Sequence, residues 1–259
     1  MKYKFFVVLY FAVQISYSCS CTHLSLIDRI ISHDYIAKVK IVESVTIYKY
    51  TDTFNPYYVK IETSKQYYGA KVNEIYLESK YDSSCGMDLP VGTEWIIFGN
   101  INNDDGTIQT SLCSGNFKLN ITFDSIKNET YYLNNQTSIL NILNDINIKK
   151  IKKSNPKITY KYPKGKGLYE ALLAINELNS KKNFGCYKLY FNEEGKVIDV
   201  EIINSLGNKI SKTFKKKLIG TLWSYSLNKK NKVLEYFLII KHIKDSVDKS
   251  SLKYSLHTL

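Results

Sequence analysis

The residues able to do chemistry in this chain are its five cysteines, Cys19, Cys21, Cys85, Cys113 and Cys186. Cys19-Ser20-Cys21 follows Ser16-Tyr17-Ser18, which offers small residues at the two positions a signal peptidase inspects. Ahead of it, Met1-Lys2-Tyr3-Lys4 and an apolar run from Phe5 to Ile15 complete the pattern of a secretory signal peptide, expected to span residues 1–18. A membrane anchor would need roughly 20 apolar residues, which this run does not reach. The mature chain is thus expected to begin at Cys19 and to be secreted or held in the cell envelope, whether periplasm, outer membrane or cell surface. Thiols in an oxidising compartment pair, and an odd number leaves one over. Four of the five lie in the first half of the chain, so Cys186 is the expected free thiol.

Other chemistry is sparse. None of the four histidines sits in a His-Glu-x-x-His pattern or beside a cysteine pair with structural-zinc spacing. His23 and His33 flank a short helix and read as surface or capping residues. Gly-x-Ser-x-Gly and phosphate-binding glycine loops are missing as well. Asp104-Asp105-Gly106 and Asn192-Glu193-Glu194-Gly195 look like fragments of calcium loops but reach no closing glutamate, and they read as turns. Asn120, Asn128 and Asn135 each head an Asn-x-Thr acceptor, of consequence only in a host that glycosylates. The chain is therefore expected to be no enzyme, with no catalytic residue, no intrinsic metal and no cofactor.

The elements that must position these cysteines follow from periodicity. Leu24, Leu26, Ile27, Ile30 and Ile31 have helical spacing. Runs rich in β-branched and aromatic residues follow at Tyr35 to Val45, Tyr57 to Thr63, Glu74 to Glu78 and Glu94 to Gly99. Asp105-Gly106 suits a hairpin turn into Thr107 to Thr110. Short strands at close intervals predict a barrel or sandwich. A second helix is expected over Ile139 to Ile146, capped by Thr137 or Ser138. The basic stretch 149–159, ending past Pro156, reads as the domain linker. Beyond it the periodicity predicts a helix at Leu168 to Leu178, a hairpin from Cys186 to Asn204, a helix from about Ser211 to Trp223, and a strand from Val233 to His242. The domains expected are thus 19–148 and 160–245, with a tail at 246–259.

Charge divides the same way. Residues 19–145 carry 10 Lys+Arg against 15 Asp+Glu, and residues 146–259 carry 24 against 9. Export argues against nucleic acid as the partner of the basic half, and an acidic partner or anionic surface is the better reading. Solvated lysines are the plain alternative.

Four features give the first half a family likeness: Cys19-Ser20-Cys21 at the cleavage site, Ser83-Ser84-Cys85-Gly86, Val91-Gly92-Thr93-Glu94-Trp95, and Thr110-Ser111-Leu112-Cys113. Over residues 19–123 the chain resembles the netrin-like module of the tissue inhibitors of metalloproteinases (TIMPs), a five-stranded barrel of OB type with flanking helices. The resemblance implies bridges Cys19–Cys85 and Cys21–Cys113. Each would close a long loop and stabilise a small barrel by about 4 kcal/mol, a sufficient structural reason for them. It also implies an inhibitory edge made of Cys19, Ser20, Cys21, Ser83 and Ser84. In that family the freed amine and carbonyl of the first cysteine chelate the zinc of a metalloproteinase at its open fourth position. This sequence departs from the family by lacking a third bridge in the domain and a cysteine-rich second domain.

The same cysteine has a rival reading as a lipoprotein anchor, since Ser18 supplies the small residue before it. A lipidated Cys19 could neither bridge to Cys85 nor offer a free amine. Residues 160–243 are similar, more faintly, to the C-terminal domain of TonB. The likeness rests on Tyr187 to Val200, Ser205-Leu206-Gly207 and a helix running to Trp223. It implies a small α+β interaction module that binds partners by strand pairing. The fold class expected is therefore β plus α+β. The function expected is an exported non-enzymatic binding protein, with metalloproteinase inhibition through Cys19 as the alternative. The expected partners are a zinc metalloproteinase or another envelope protein.

Overall fold

The computed structural model describes residues 20–21, 24–46, 57–77, 86–121, 126–152, 161–163, 165–225, 234–242 and 254–256. Internal contacts divide the chain into two compact units. The first comprises Met1–Leu24 with Ser32–Thr122, and the second Ser25–Ile31 with Phe123–Leu259.

The first unit is a closed five-stranded mixed barrel with a further strand. Its strands are β1 (Tyr35–Thr46), β2 (Tyr57–Tyr68), β3 (Glu74–Leu77), β4 (Glu94–Ile101), β5 (Ile108–Thr110) and the short β6 (Phe117–Lys118). The order runs β1-β2-β3-β5-β4, with β4 returning to pair with β1 and β6 added on β4. All pairings are antiparallel except β3 with β5. Closure depends on β1, whose first half pairs on both sides, Tyr35 to Gly99 and Lys40 to Glu94 on one edge and Ile36 to Tyr68 on the other. Register shifts along the β1–β2 pair supply the local coiling that a small barrel needs.

Period-two patterning decides what faces in. Tyr35, Ala37, Val39 and Ile41 of β1 are fully buried, as are Val59 of β2, Ile75 of β3 and Ile97 of β4, and Met87 and Leu89 close the core from the segment before β4. The β4–β5 hairpin turns at Gly106, whose φ of 75° is the left-handed conformation expected of the Asp-Gly step. Asp105 Oδ1 accepts from the Thr107 amide at 2.9 Å and from its hydroxyl at 2.7 Å, which holds its carboxyl below the usual carboxylate range.

The second unit is built on a four-stranded sheet. Its elements are α1 (Leu26–Ser32, all but its last residue), α2 (Ile126–Asp145), α3 (Ile148–Lys152), β7 (Lys161–Pro163), α4 (Gly167–Asn176), β8 (Phe184–Phe191), β9 (Val197–Asn204), α5 (Asn208–Leu218), β10 (Trp223–Tyr225), β11 (Leu234–His242) and β12 (Tyr254–Leu256). The sheet order is β12-β11-β8-β9, and β7 pairs with β10 as a separate small sheet. Helices α4 and α5 lay Leu168, Ala171, Leu172 and Ile175, and Ile210, Phe214 and Leu218, against Tyr187, Leu189, Val200 and Leu238 of the sheet.

Two helices differ from expectation. Helix α2 begins at Ile126, twelve residues before Ser138, because tertiary packing of Gln136, Ile139, Ile142 and Leu143 carries a first half poor in strong helix formers. Helix α5 ends at Leu218, not Trp223. Gly220 at φ 90° turns the chain, and Gly220 N donates to Val197 O at 2.8 Å, so Trp223 enters the core from β10. Its indole stacks edge-on to Phe191 and donates to Thr221 Oγ1 at 2.9 Å. Residues 149–152 of the expected linker are helical in α3, and 153–159 lie outside the described residues.

Candidate functional site

The site the cysteines point to is the place where Cys21 is tied to the barrel. Cys21 and Cys113 form a disulfide across 92 residues, with their Cα atoms 5.1 Å apart. This is the second of the two pairings that the TIMP resemblance implies. Cys113 sits in a short 3-10 turn, Leu112–Ser114, which leaves β5 directly. The turn is closed at both ends: the Ser111 amide donates to Ser114 Oγ at 3.1 Å, and Gly115 ends it in the left-handed conformation.

Asn116 fixes that turn to the barrel. Its Oδ1 accepts from the Phe98 amide of β4 at 2.7 Å. Its Nδ2 donates to Thr110 Oγ1 at 2.7 Å, to Ser111 O at 3.0 Å and, at 3.4 Å, to the sulfur of Met87. The buried Thr110 hydroxyl in turn donates to Phe98 O at 2.7 Å. One amide side chain thus joins the Cys113 turn, strand β4 and the segment that begins beside Cys85. Sequence reading passed over Asn116 because an asparagine immediately before a short strand looks like turn chemistry.

Among the residues of the expected edge, Ser20 is exposed and Cys21 half-buried. Cys19, Ser83, Ser84 and Cys85 lie outside the described residues, as do the expected signal segment 1–18 and His23. His33 is buried, its Nδ1 3.1 Å from Ser32 Oγ and its ring edge-on to Phe98, a packed residue and not an open one. Cys186 is free and fully buried on β8, where burial pushes its thiol far up. Among the described residues no group of three or more His, Cys, Asp or Glu could hold a metal ion, and no helix is long and apolar enough to cross a membrane.

A second feature of the barrel is an open depression of about 280 Å³ between the start of β3 and the β4–β5 turn, lined by Asn73, Glu74, Tyr76 and Thr107 among others. Tyr76 stacks on Tyr58 with ring centroids 5.3 Å apart.

No protein-family model matches this chain, and no curated protein matches it in sequence.

Proposed function

We propose that the chain is an exported, non-enzymatic binding protein built on a TIMP-like netrin barrel of OB type, followed by an interaction module of TonB C-terminal type. The observation that carries the reading is the Cys21–Cys113 bridge. It ties the residues just after the expected cleavage site to the turn that leaves β5, the arrangement the resemblance implies. The OB reading is supported by the strand order β1-β2-β3-β5-β4 closing on β1, with β3 and β5 parallel. The TonB-like reading is supported by the succession α4, β8, β9, α5, β11, with β11 pairing back on β8. Export is supported by the signal pattern of residues 1–18 and by a disulfide, a bond that persists in oxidising compartments.

The reading is tested by placing a photo-crosslinking residue at Ser20 of the exported protein, with a second at the exposed Lys40 as control. A saturable adduct formed from Ser20 alone supports binding at this edge. Equal adducts from both positions, or none from either, would sink it.

A second reading, inhibition of a zinc metalloproteinase, is favoured by one observation: exposed Ser20 stands beside an anchored Cys21. Cys19 stands two residues before that anchor in the sequence. An α-amine titrates near pH 8, so zinc can displace its proton and take the lone pair. One alanine added before Cys19 moves that amine by about 3.5 Å and should abolish inhibition while leaving both bridges intact. An extended protein that inhibits a panel of zinc proteinases as well as the parent would exclude chelation.

A further inference from the structure

We propose that the outer face of α5 is a membrane-docking surface that takes an anionic lipid bilayer, through a row of lysines ending in an exposed apolar knuckle. It rests on the export reading only for where such a bilayer would be met.

Helix α5 buries Ile210, Ser211, Phe214 and Leu218 and leaves Lys209, Lys212, Lys216 and Lys217 exposed. Lys209, Lys212 and Lys216 are spaced by three and four, which aligns them in one stripe about 10 Å long. None of these four forms an ion pair among the described residues, whereas the fifth lysine of the helix, Lys215, is engaged by Asp199 at 2.9 Å. The helix has no acidic residue of its own. Two more lysines extend the row at its beginning. Ser180 Oγ donates to Leu206 O at 2.6 Å and accepts from the Lys182 amide at 2.9 Å, which pins exposed Lys181 and Lys182 beside the start of α5. Glu177 and Leu178 follow α4 on the way to this loop, and Glu177 is the nearest exposed acid in sequence.

At its other end the row meets apolar surface. Gly167 packs against Thr221, so that an added Cβ would lie 2.8 Å from Thr221 Cγ2, and this sets the start of α4 beside the end of α5. Val197 N donates to Thr221 O at 2.9 Å, which brings β9 to the same place. Tyr169, Ile198, Ile219 and Leu222 are all exposed there, between 43% and 55%. Glu170, Glu193 and Glu194 are also exposed towards this end, as are Lys166, Lys196 and Lys217.

A soluble polyanion would engage the lysines and leave the apolar side chains in water. A bilayer of anionic lipids satisfies both, since lysines gain from the negative surface potential and aromatic and aliphatic side chains from the headgroup boundary. The apolar face of α5 is committed to the core, so docking is peripheral and salt-sensitive and does not bury the helix.

The test uses the full chain without residues 1–18, whose apolar run would bind lipid by itself. Co-sedimentation is measured with vesicles of phosphatidylcholine alone and with 30% phosphatidylglycerol. Binding is expected only to the anionic vesicles, with release as salt is raised. The triple variant K209Q/K212Q/K216Q should lower partitioning by about a hundredfold, taking each lysine as worth roughly fivefold. The control K40Q/K71Q/K149Q, with the same change of net charge at exposed lysines elsewhere, should stay within about twofold of the parent. Leu222→Ser should weaken binding severalfold with every lysine retained, and it reads the knuckle even if the triple variant loses its helical signal. No binding to anionic vesicles, equal loss in the two triple variants, or retention on a polyphosphate column with no vesicle binding would each overturn the proposal. None of these outcomes bears on export or on the target of the barrel.

Discussion

Replacing Asn116 by alanine should loosen the barrel at the point where the Cys113 turn is held. The side chain accepts from the Phe98 amide at 2.7 Å and donates to Thr110 Oγ1 and Ser111 O at 2.7 and 3.0 Å. Phe98 is fully buried, so water cannot readily replace the lost acceptor, and an orphaned buried donor costs about 1–3 kcal/mol. The two donated bonds add about 1 kcal/mol each on ordinary net values. Allowing for non-additivity, the expected loss is about 3 kcal/mol, which lowers the melting temperature of a unit of this size by at least about 12 °C. Asn116→Asp separates the two roles. It keeps an acceptor for Phe98 N but sets a carboxylate oxygen against Ser111 O and against a Thr110 hydroxyl already donating to Phe98 O. Asp should therefore not rescue at pH 7 and should improve when protonated. Hydrogen exchange of the peptide containing Phe98, read in the full chain alongside thermal unfolding, reports the local loss. Protection of that amide unchanged in Asn116→Ala, or a stability change under about 0.5 kcal/mol, would refute the role given to this side chain.

Removing the bridge by Cys21→Ser/Cys113→Ser should destabilise the first unit by about 4–5 kcal/mol, the chain-entropy value for a loop of 92 residues, as measured by urea unfolding under non-reducing conditions. Cys186 should resist alkylation in the native chain at pH 8 and react only once unfolded, because it is fully buried and its thiol is pushed up; fast native labelling would show that β8 opens. The Lys150 ammonium, 2.6 Å from Glu201 Oε1, holds that carboxyl below its ordinary 4.5. Its folded value is the depressed one, so this contribution is present above pH 4.5 and is lost as pH falls through the folded value; Lys150→Met should flatten the acid limb of the second unit's stability profile, and an unchanged limb would contradict the pairing. Glu235→Gln leaves the Lys188 ammonium, only 9% exposed, without the carboxylate 2.7 Å away, and should cost about 3–5 kcal/mol in thermal unfolding.

The strands of the first unit were legible because their runs are rich in β-branched and aromatic residues, and in β1 Ala37, Val39 and Ile41 turn in at period two. Their closure into a barrel was not, since it depends on β1 pairing on both edges, a long-range choice that no local pattern encodes. The Asp105-Gly106 turn could be read from the left-handed preference of its glycine. The start of α2 could not, because the segment around Asn134 and Asn135 has weak intrinsic helicity and is carried by packing farther along. At the site, the Cys21–Cys113 bridge is one that the family resemblance implied, whereas Asn116 acts by joining strand β4, the Thr110-Ser111 end of β5 and the segment holding Met87, which meet only in the fold. The lysine row of α5 was visible only as charge. That Lys215 is spent on Asp199 while its neighbours stay exposed is a matter of packing.

The proposed function requires that cleavage after Ser18 leave Cys19 at the beginning of the mature protein. Intact mass and non-reducing peptide mapping of the exported chain test it most directly. An unmodified amine on Cys19 is expected, with residues 1–18 absent, peptides linking Cys19 to Cys85 and Cys21 to Cys113, and Cys186 free. A retained leader, a lipid on Cys19, or any bridge to Cys186 would contradict it.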